Sequence, residues 1–191
     1  MHPESKSRLQ RRLLPALLLL AVAWTAPGCS QPPPLELVDE VDLVRYQGLW
    51  HEVALLPNRF QSRCAANTTA EYALKVNGRI GVTNRCRTAE GEFTEAEGEA
   101  RPVDRDRPAA LEVRFAPKWL SLLPLVWGDY QIMALDEGYR WAMVGAPSRD
   151  FLWILSREPS LPGARLDALL AEAARQGFDT DAVQRSPQEW P

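Results

Sequence analysis

The sequence predicts an all-β protein of short antiparallel strands, a sandwich or an up-and-down barrel, followed by a single helix. Three observations carry this. Between Gly48 and Arg157, eight short extended runs are parted by turn signals. One of those turns is Asn77-Gly78, the strongest short hairpin signal, because a two-residue turn of this kind needs φ > 0 at both positions. The one apolar stripe at helical spacing comes only after the last run.

Run one covers 49–56. Run two, 68–76, turns through Asn77-Gly78 into run three, 79–88, and Glu90-Gly91 leads to run four, 92–103. Residues 104–108 turn into run five, 110–115. Run six is 129–135, and Asp136-Glu137-Gly138 returns the chain to run seven, 139–145. APSRD closes into run eight, 151–157. The helix follows, with Ser160 as its expected N-cap, Pro162 in the first turn and Gly177 at the C-terminal end. Leu166, Leu169, Leu170, Ala173 and Ala174 form its apolar stripe, while Glu172, Arg175 and Gln176 face away, so it should pack on the outside of the sheet.

Alternation assigns the strand faces. Run five places Leu111, Val113 and Phe115 on one face. Run four turns Glu95, Glu97 and Glu99 outward and Thr94, Ala96, Gly98 and Ala100 inward. Side chains this small would leave voids in a packed core, but in a closed barrel they leave room for a guest. Tyr130, Ile132 and Ala134 share a face of run six, and Tyr139, Trp141 and Met143 a face of run seven. If the eight strands close, the first starts where the last finishes. Trp50 and Arg157 then meet at one end, with the guanidinium over the indole, a contact of ~0.5–2 kcal/mol. Glu52 shares the parity of Trp50 and would point into the barrel, where a carboxylate needs a partner that the sequence does not identify.

Ahead of the runs, Lys6, Arg8, Arg11 and Arg12 precede an apolar stretch, 13–23, that is shorter than the ~20 residues of a bilayer span. It ends in TAPGC, which resembles the lipobox of bacterial lipoproteins. That resemblance implies lipidation at Cys29, and Ser30 after it implies the outer membrane. An ordinary secretory leader with an incidental Cys is the alternative. Removing residues 1–28, with their four Lys/Arg and one Glu, takes the charged counts from 22 and 25 to 18 and 24, a net −6. An acidic chain without a basic run argues against a nucleic-acid partner. Residues 29–40 read as a lipidated N-terminus and a stiff Pro-rich tether, and 41–191 as one domain. Cys64 and Cys86 are then an even pair in an exported chain, so a disulfide is expected, with two buried free thiols as the alternative. Counting out from Asn77-Gly78 puts Cys86 opposite roughly Thr69, so the bond requires a bulge or a folded-back strand end.

The motifs GLW, DYQIMAL and YRWAMVGAPSRDFLWILSR, with Arg157 ending the last run, resemble the lipocalin pattern. VDLVRYQGLWHEVALLPNRFQ, TEAEGEA, WGDYQ, LWILSR and QGFD are similar to the bacterial lipocalins, outer-membrane lipoproteins related to apolipoprotein D. The resemblance spans nearly the whole mature chain. It implies an eight-stranded barrel with an apolar cavity, a C-terminal helix on its side, no cofactor, and a fatty acid or lysophospholipid guest. The expected ligand-binding residues are Arg59, Phe60, Ala96, Phe115, Tyr130, Trp141, Met143 and Trp153. Arg59 would meet a head group at the mouth, and the protein would sit on the outer membrane facing the periplasm. His51, where the family often has an aromatic, departs from the pattern.

An enzyme is disfavoured. His51 is the only histidine left after the leader is removed, no His/Cys cluster has metal-ligand spacing, and a disulfide offers no thiolate. The second alternative is an envelope interaction protein with a filled barrel. Its expected contact is the loop 116–127, placed at the open rim, with Trp119, Leu122 and Leu123 against the bilayer or a second copy of the chain. The Asn67-Thr68-Thr69 sequon is read as chance.

Overall fold

The computed structural model describes residues 32–104 and 106–189. The expected leader and Cys29 lie outside the described residues. An extended segment leads to helix α1, Leu43–Tyr46, where the Asp42 carboxylate accepts from the amides of Val44 (2.8 Å) and Arg45 (3.3 Å). Eight strands follow: β1 Gly48–Leu55, β2 Cys64–Leu74, β3 Ile80–Thr88, β4 Phe93–Pro102, β5 Ala110–Arg114, β6 Gly128–Leu135, β7 Trp141–Gly145 and β8 Leu152–Ser156. Each pairs antiparallel with the next, and β1 pairs with both β8 and β2, so the sheet closes into an up-and-down barrel. Helix α2, Gly163–Arg175, and a two-residue strand β9, Gln184–Arg185, complete the chain.

The barrel has two distinct apolar faces. One cluster gathers side chains from all eight strands of the barrel, among them Trp50, Tyr72, Val82, Ala100, Leu111, Ile132, Val144 and Leu155, and only the enclosed side can do that. The second joins β1, β6, β7 and β8 to Leu166, Leu169 and Ala173 of α2, and lies outside the wall beneath the helix. This division corrects the expected faces. Trp141 and Met143 belong to the outer cluster, and Ala142 and Val144 point inward instead. A register shift between Ile132 and Ala134 also turns Ala134 outward while Ile132 stays inside.

The helix begins at Gly163 with Pro162 as N-cap and no side-chain cap, rather than at Ser160. The residue before a proline is held extended, so Leu161 cannot enter the helix. Gly177 adopts φ +91° just past the C-cap Gln176, as a left-handed terminus requires. Gln176 is buried and Ala174 exposed, the reverse of the expected stripe, because the Gln176 amide bonds Glu36 and Glu172.

At the upper β1–β2 seam the strands part. They pair only from Gly48↔Tyr72 to His51↔Thr69. Beyond that, β9 pairs with Ala54 and Leu55, and the segment after it fills the gap. The Gln188 amide donates to the carbonyls of Glu52 (2.8 Å) and Thr68 (3.0 Å), and Pro187 accepts from the Asn67 amide (2.7 Å). The C-terminal segment is thus part of the barrel wall.

Candidate functional site

The two ends of the barrel differ. At the end where β1 starts, Arg157 lies 3.9 Å over the Trp50 ring. Its guanidinium also donates to the carbonyls of Leu49 (2.8 Å), Arg45 (2.9 Å) and Gln47 (2.8 Å), tying α1 and the start of β1 to the end of β8. Gly48, at φ +90°, makes the turn beneath it. Above Trp50, the hydroxyl of Tyr130 is 2.9 Å from that of Tyr46 and 2.8 Å from that of Tyr72. Burial pushes Tyr72 up to about 12 and raises the other two well above their ordinary value. The three stay neutral and hydrogen-bonded, and this end is closed.

The opposite end is open. Ala100 is buried, but Ala96, four residues on along the same face of β4, is exposed. Between them Gly98 admits the Phe115 ring, since a Cβ there would stand 2.7 Å from it. Phe115 remains 43 % exposed. Across the mouth, Phe60, Phe151 and Trp153 follow one another with ring centroids 5.6 and 5.8 Å apart. The Arg59 guanidinium sits 4.9 Å from the Phe60 ring and is solvent-exposed.

Glu52 is buried and partnered. Gln61 Nε2 and Ser186 Oγ each donate to its carboxylate at 2.5 Å. Gln61 in turn accepts from Trp153 Nε1 at 2.7 Å. Burial pushes the Glu52 carboxyl up, opposed by the Ser186 and Gln61 hydrogen bonds. Gln61 directly follows the Arg59-Phe60 pair and was within reach of sequence reasoning. Ser186 was not, because nothing in the pattern docks the C-terminal segment on β1.

The structure brings Phe60, Ala96, Phe115, Tyr130 and Trp153 to the interior or its mouth, with Tyr130 at the floor and Arg59 at the rim. It places Trp141 under Arg165, 4.9 Å from its ring, and Met143 between sheet and helix, away from the interior. Cys64 and Cys86 are bonded, with Cα atoms 5.5 Å apart. Two register shifts near the start of β2 make this fit, moving the pairing from Thr69↔Arg85 to Cys64↔Thr88.

The loop 116–127 is tied to the outer wall through Trp127. Trp127 docks outside β4 and β5, 4.0 Å from the Arg101 guanidinium and 5.2 Å from that of Arg114, and its Nε1 donates to Ser121 O. Trp119, Leu122 and Leu125 are left exposed at 78 %, 90 % and 97 %. Among the described residues no group of three or more His, Cys, Asp or Glu is arranged to hold a metal ion.

The family described as lipocalin-like domain matches residues 41–188. The chain belongs to the lipocalins. Among curated relatives, this lipocalin is 36 % identical over 172 residues to the outer membrane lipoprotein Blc of Escherichia coli K12, covering 88 % of this chain and 93 % of the relative. It is 35 % identical over 161 residues to temperature-induced lipocalin-1 of Arabidopsis thaliana, covering 83 % and 86 %. Apolipoprotein D of Macaca fascicularis is 33 % identical over 168 residues, with 84 % and 82 % covered. Among solved structures, insecticyanin from the tobacco hornworm Manduca sexta superposes with a TM-score of 0.61 at 20 % identity, covering 83 % of this lipocalin and 86 % of that chain. At such identity the likeness concerns the fold.

Proposed function

We propose that this lipocalin holds a fatty acid or a lysophospholipid in the open half of its barrel, as a lipoprotein anchored through Cys29 to the outer membrane and facing the periplasm. The observation that carries the reading is the change along one face of β4, from buried Ala100 to exposed Ala96. At that end Ala96 presents a small side chain, Phe115 covers Gly98, and Phe60, Phe151 and Trp153 form a run of rings, while the three tyrosines seal the other end. Arg59 at the rim supplies a cation for a phosphate or carboxylate. The leader with TAPGC, and relatives named outer membrane lipoproteins, support the anchor. The reading is of a binding protein, since both barrel cysteines are tied in a disulfide and offer no thiolate.

Each buried methylene contributes up to ~0.8 kcal/mol, about fourfold in affinity, so affinity should climb with acyl length and then level off when the open half is full. Ala96→Phe should abolish long-chain binding with an unchanged unfolding midpoint. Undiminished binding by that variant would place the guest outside the barrel.

The exposed apolar loop favours a second reading, an envelope protein that dimerises or docks a partner through Trp119, Leu122 and Leu123. Replacing all three with Ser should leave acyl binding intact if the first reading holds, and should dissociate an oligomer if the second does.

A further inference from the structure

Among the described residues, the inward-turned positions of β1–β8 carry one charged side chain, Glu52. Its place is set on both sides, since it faces Leu155 across the β1–β8 ladder and lies one alternation above Trp50, both members of the inner cluster. It is 4 % exposed. Its two partners, Gln61 and Ser186, are neutral donors, and no lysine or arginine among the described residues forms an ion pair with it. Through Gln61 it is one side chain removed from Trp153, on which the Phe151 ring stacks at 12°.

A carboxylate in this setting lacks a counter-charge. Water is excluded from it, and hydrogen bonds from an amide and a hydroxyl compensate part of the loss of hydration but leave the field. A guest whose carboxylate passes the rim cation Arg59 and enters the barrel meets that field. One of the two acids must then stay protonated, or the pair is held with mutual repulsion. A guest that brings an ammonium supplies the missing charge, and the aromatic faces of Trp153 and Phe151 add to its attraction.

We infer that Glu52 makes the barrel selective for the sign of its guest's polar end, favouring an amphiphile that carries a protonated or quaternary amine over one that carries only a carboxylate. The inference rests on the reading of the barrel as a guest site and chooses among the guests that reading allows. Unit charges about 8 Å apart at an effective dielectric of about 20 shift affinity roughly thirtyfold, which sets the scale of the effect.

Dodecylamine, dodecanol and dodecanoic acid share one chain and differ in the charge of the polar end. Their affinities for the chain from Ser30 onward, which contains every strand and both helices, can be read by tryptophan fluorescence at pH 8. Wild type should bind the amine at least tenfold more tightly than the alcohol, and the acid at least tenfold more weakly. Glu52→Gln should draw the three together to within about threefold, and Glu52→Asp should keep the order. Because Glu52→Gln changes the total charge by one only, non-specific attraction of the amine to an acidic protein survives it and is thereby separated. If Glu52→Gln fails to fold, Glu52→Met removes the same charge at similar length. Equal affinities in wild type, or a spread that survives loss of the carboxylate, would overturn the selection while leaving the guest site standing. Binding of none of the three would overturn both.

Discussion

Arg157→Lys keeps the positive charge at the closed end and removes the planar fork that distributes it. In wild type the guanidinium covers Trp50 at 3.9 Å while donating to the carbonyls of Leu49, Arg45 and Gln47, with longer bonds to Tyr46 and Tyr139 at 3.3 Å. An ammonium has three donors at one point and cannot lie flat on the indole while reaching carbonyls on both sides of it. Losing about two charge-assisted bonds costs ~1.5 kcal/mol each at the low end, and losing the stacked contact adds ~0.5 kcal/mol. The expected cost is therefore ~3 kcal/mol. For a domain of this size it lowers the thermal midpoint by roughly 6–12 °C. Urea unfolding followed by tryptophan fluorescence should show a lower midpoint at constant slope. A Lys variant within ~0.5 kcal/mol of wild type would mean that charge alone closes this end, and the argument from the fork would be wrong.

Three further outcomes are expected. Replacing Cys64 and Cys86 with Ala removes a cross-link across 22 residues and should cost ~3 kcal/mol on the chain-entropy account; a loss below ~1 kcal/mol by urea unfolding would contradict it. Glu52 and Asp136 should titrate stability with opposite sign. The raised Glu52 carboxyl contributes stability that is full below its unfolded value and is lost as pH rises through its folded one, so Glu52→Gln should gain on wild type as pH rises from the acid range. Asp136, held at about 2 chiefly by Arg140, contributes above its unfolded value of ~3.9 and loses that as pH falls toward 2, so Asp136→Asn should be least damaging in acid. Parallel pH profiles for wild type and either variant would refute the corresponding assignment. Gly145→Val places a Cβ 2.6 Å from Met133 Sδ and 2.7 Å from the Phe178 ring, and should cost ~1–3 kcal/mol, less in a Phe178→Ala background; equal costs in the two backgrounds would show that Phe178 is not the obstacle.

The strands were legible because β1 to β8 each pair with the next in sequence, so turn signals such as Asn77-Gly78 mark both the end of one strand and the partner of the next. Closure was legible too, since Trp50 and Arg157 occupy the ends that a closed barrel must join. Inside and outside were not legible for β7. With α2 over its outer face, both faces of β7 are apolar, and alternation cannot choose between Trp141 with Met143 and Ala142 with Val144. A single extra residue near Met133 reversed Ala134 for a different reason, because bulges leave no reliable mark in composition. The loop 116–127 joins β5 to β6 at the end expected for it, but Trp127 comes down on the outside of the wall. Arg101 and Arg114, both outward by alternation, were the available hint that an aromatic would come down on them. The neighbours of Glu52 divide in the same way, Gln61 being local and Ser186 lying 134 residues away.

The upper seam between β1 and β2 is bridged by the C-terminal segment rather than by direct pairing of the two strands. The β2–β3 ladder begins at Leu74↔Ile80, whereas the bonds that Gln188 makes to Glu52 and Thr68 span 136 and 120 residues. Contacts so distant form late, after the loop-closure entropy of the intervening chain has been met. Without them, the upper parts of β1 and β2 would be bare strand edges. A closed barrel owes its solubility to having no edges. In the folded barrel residues 184–189 withdraw both edges from solution at once, so a chain lacking them would present two strand edges able to pair with another chain.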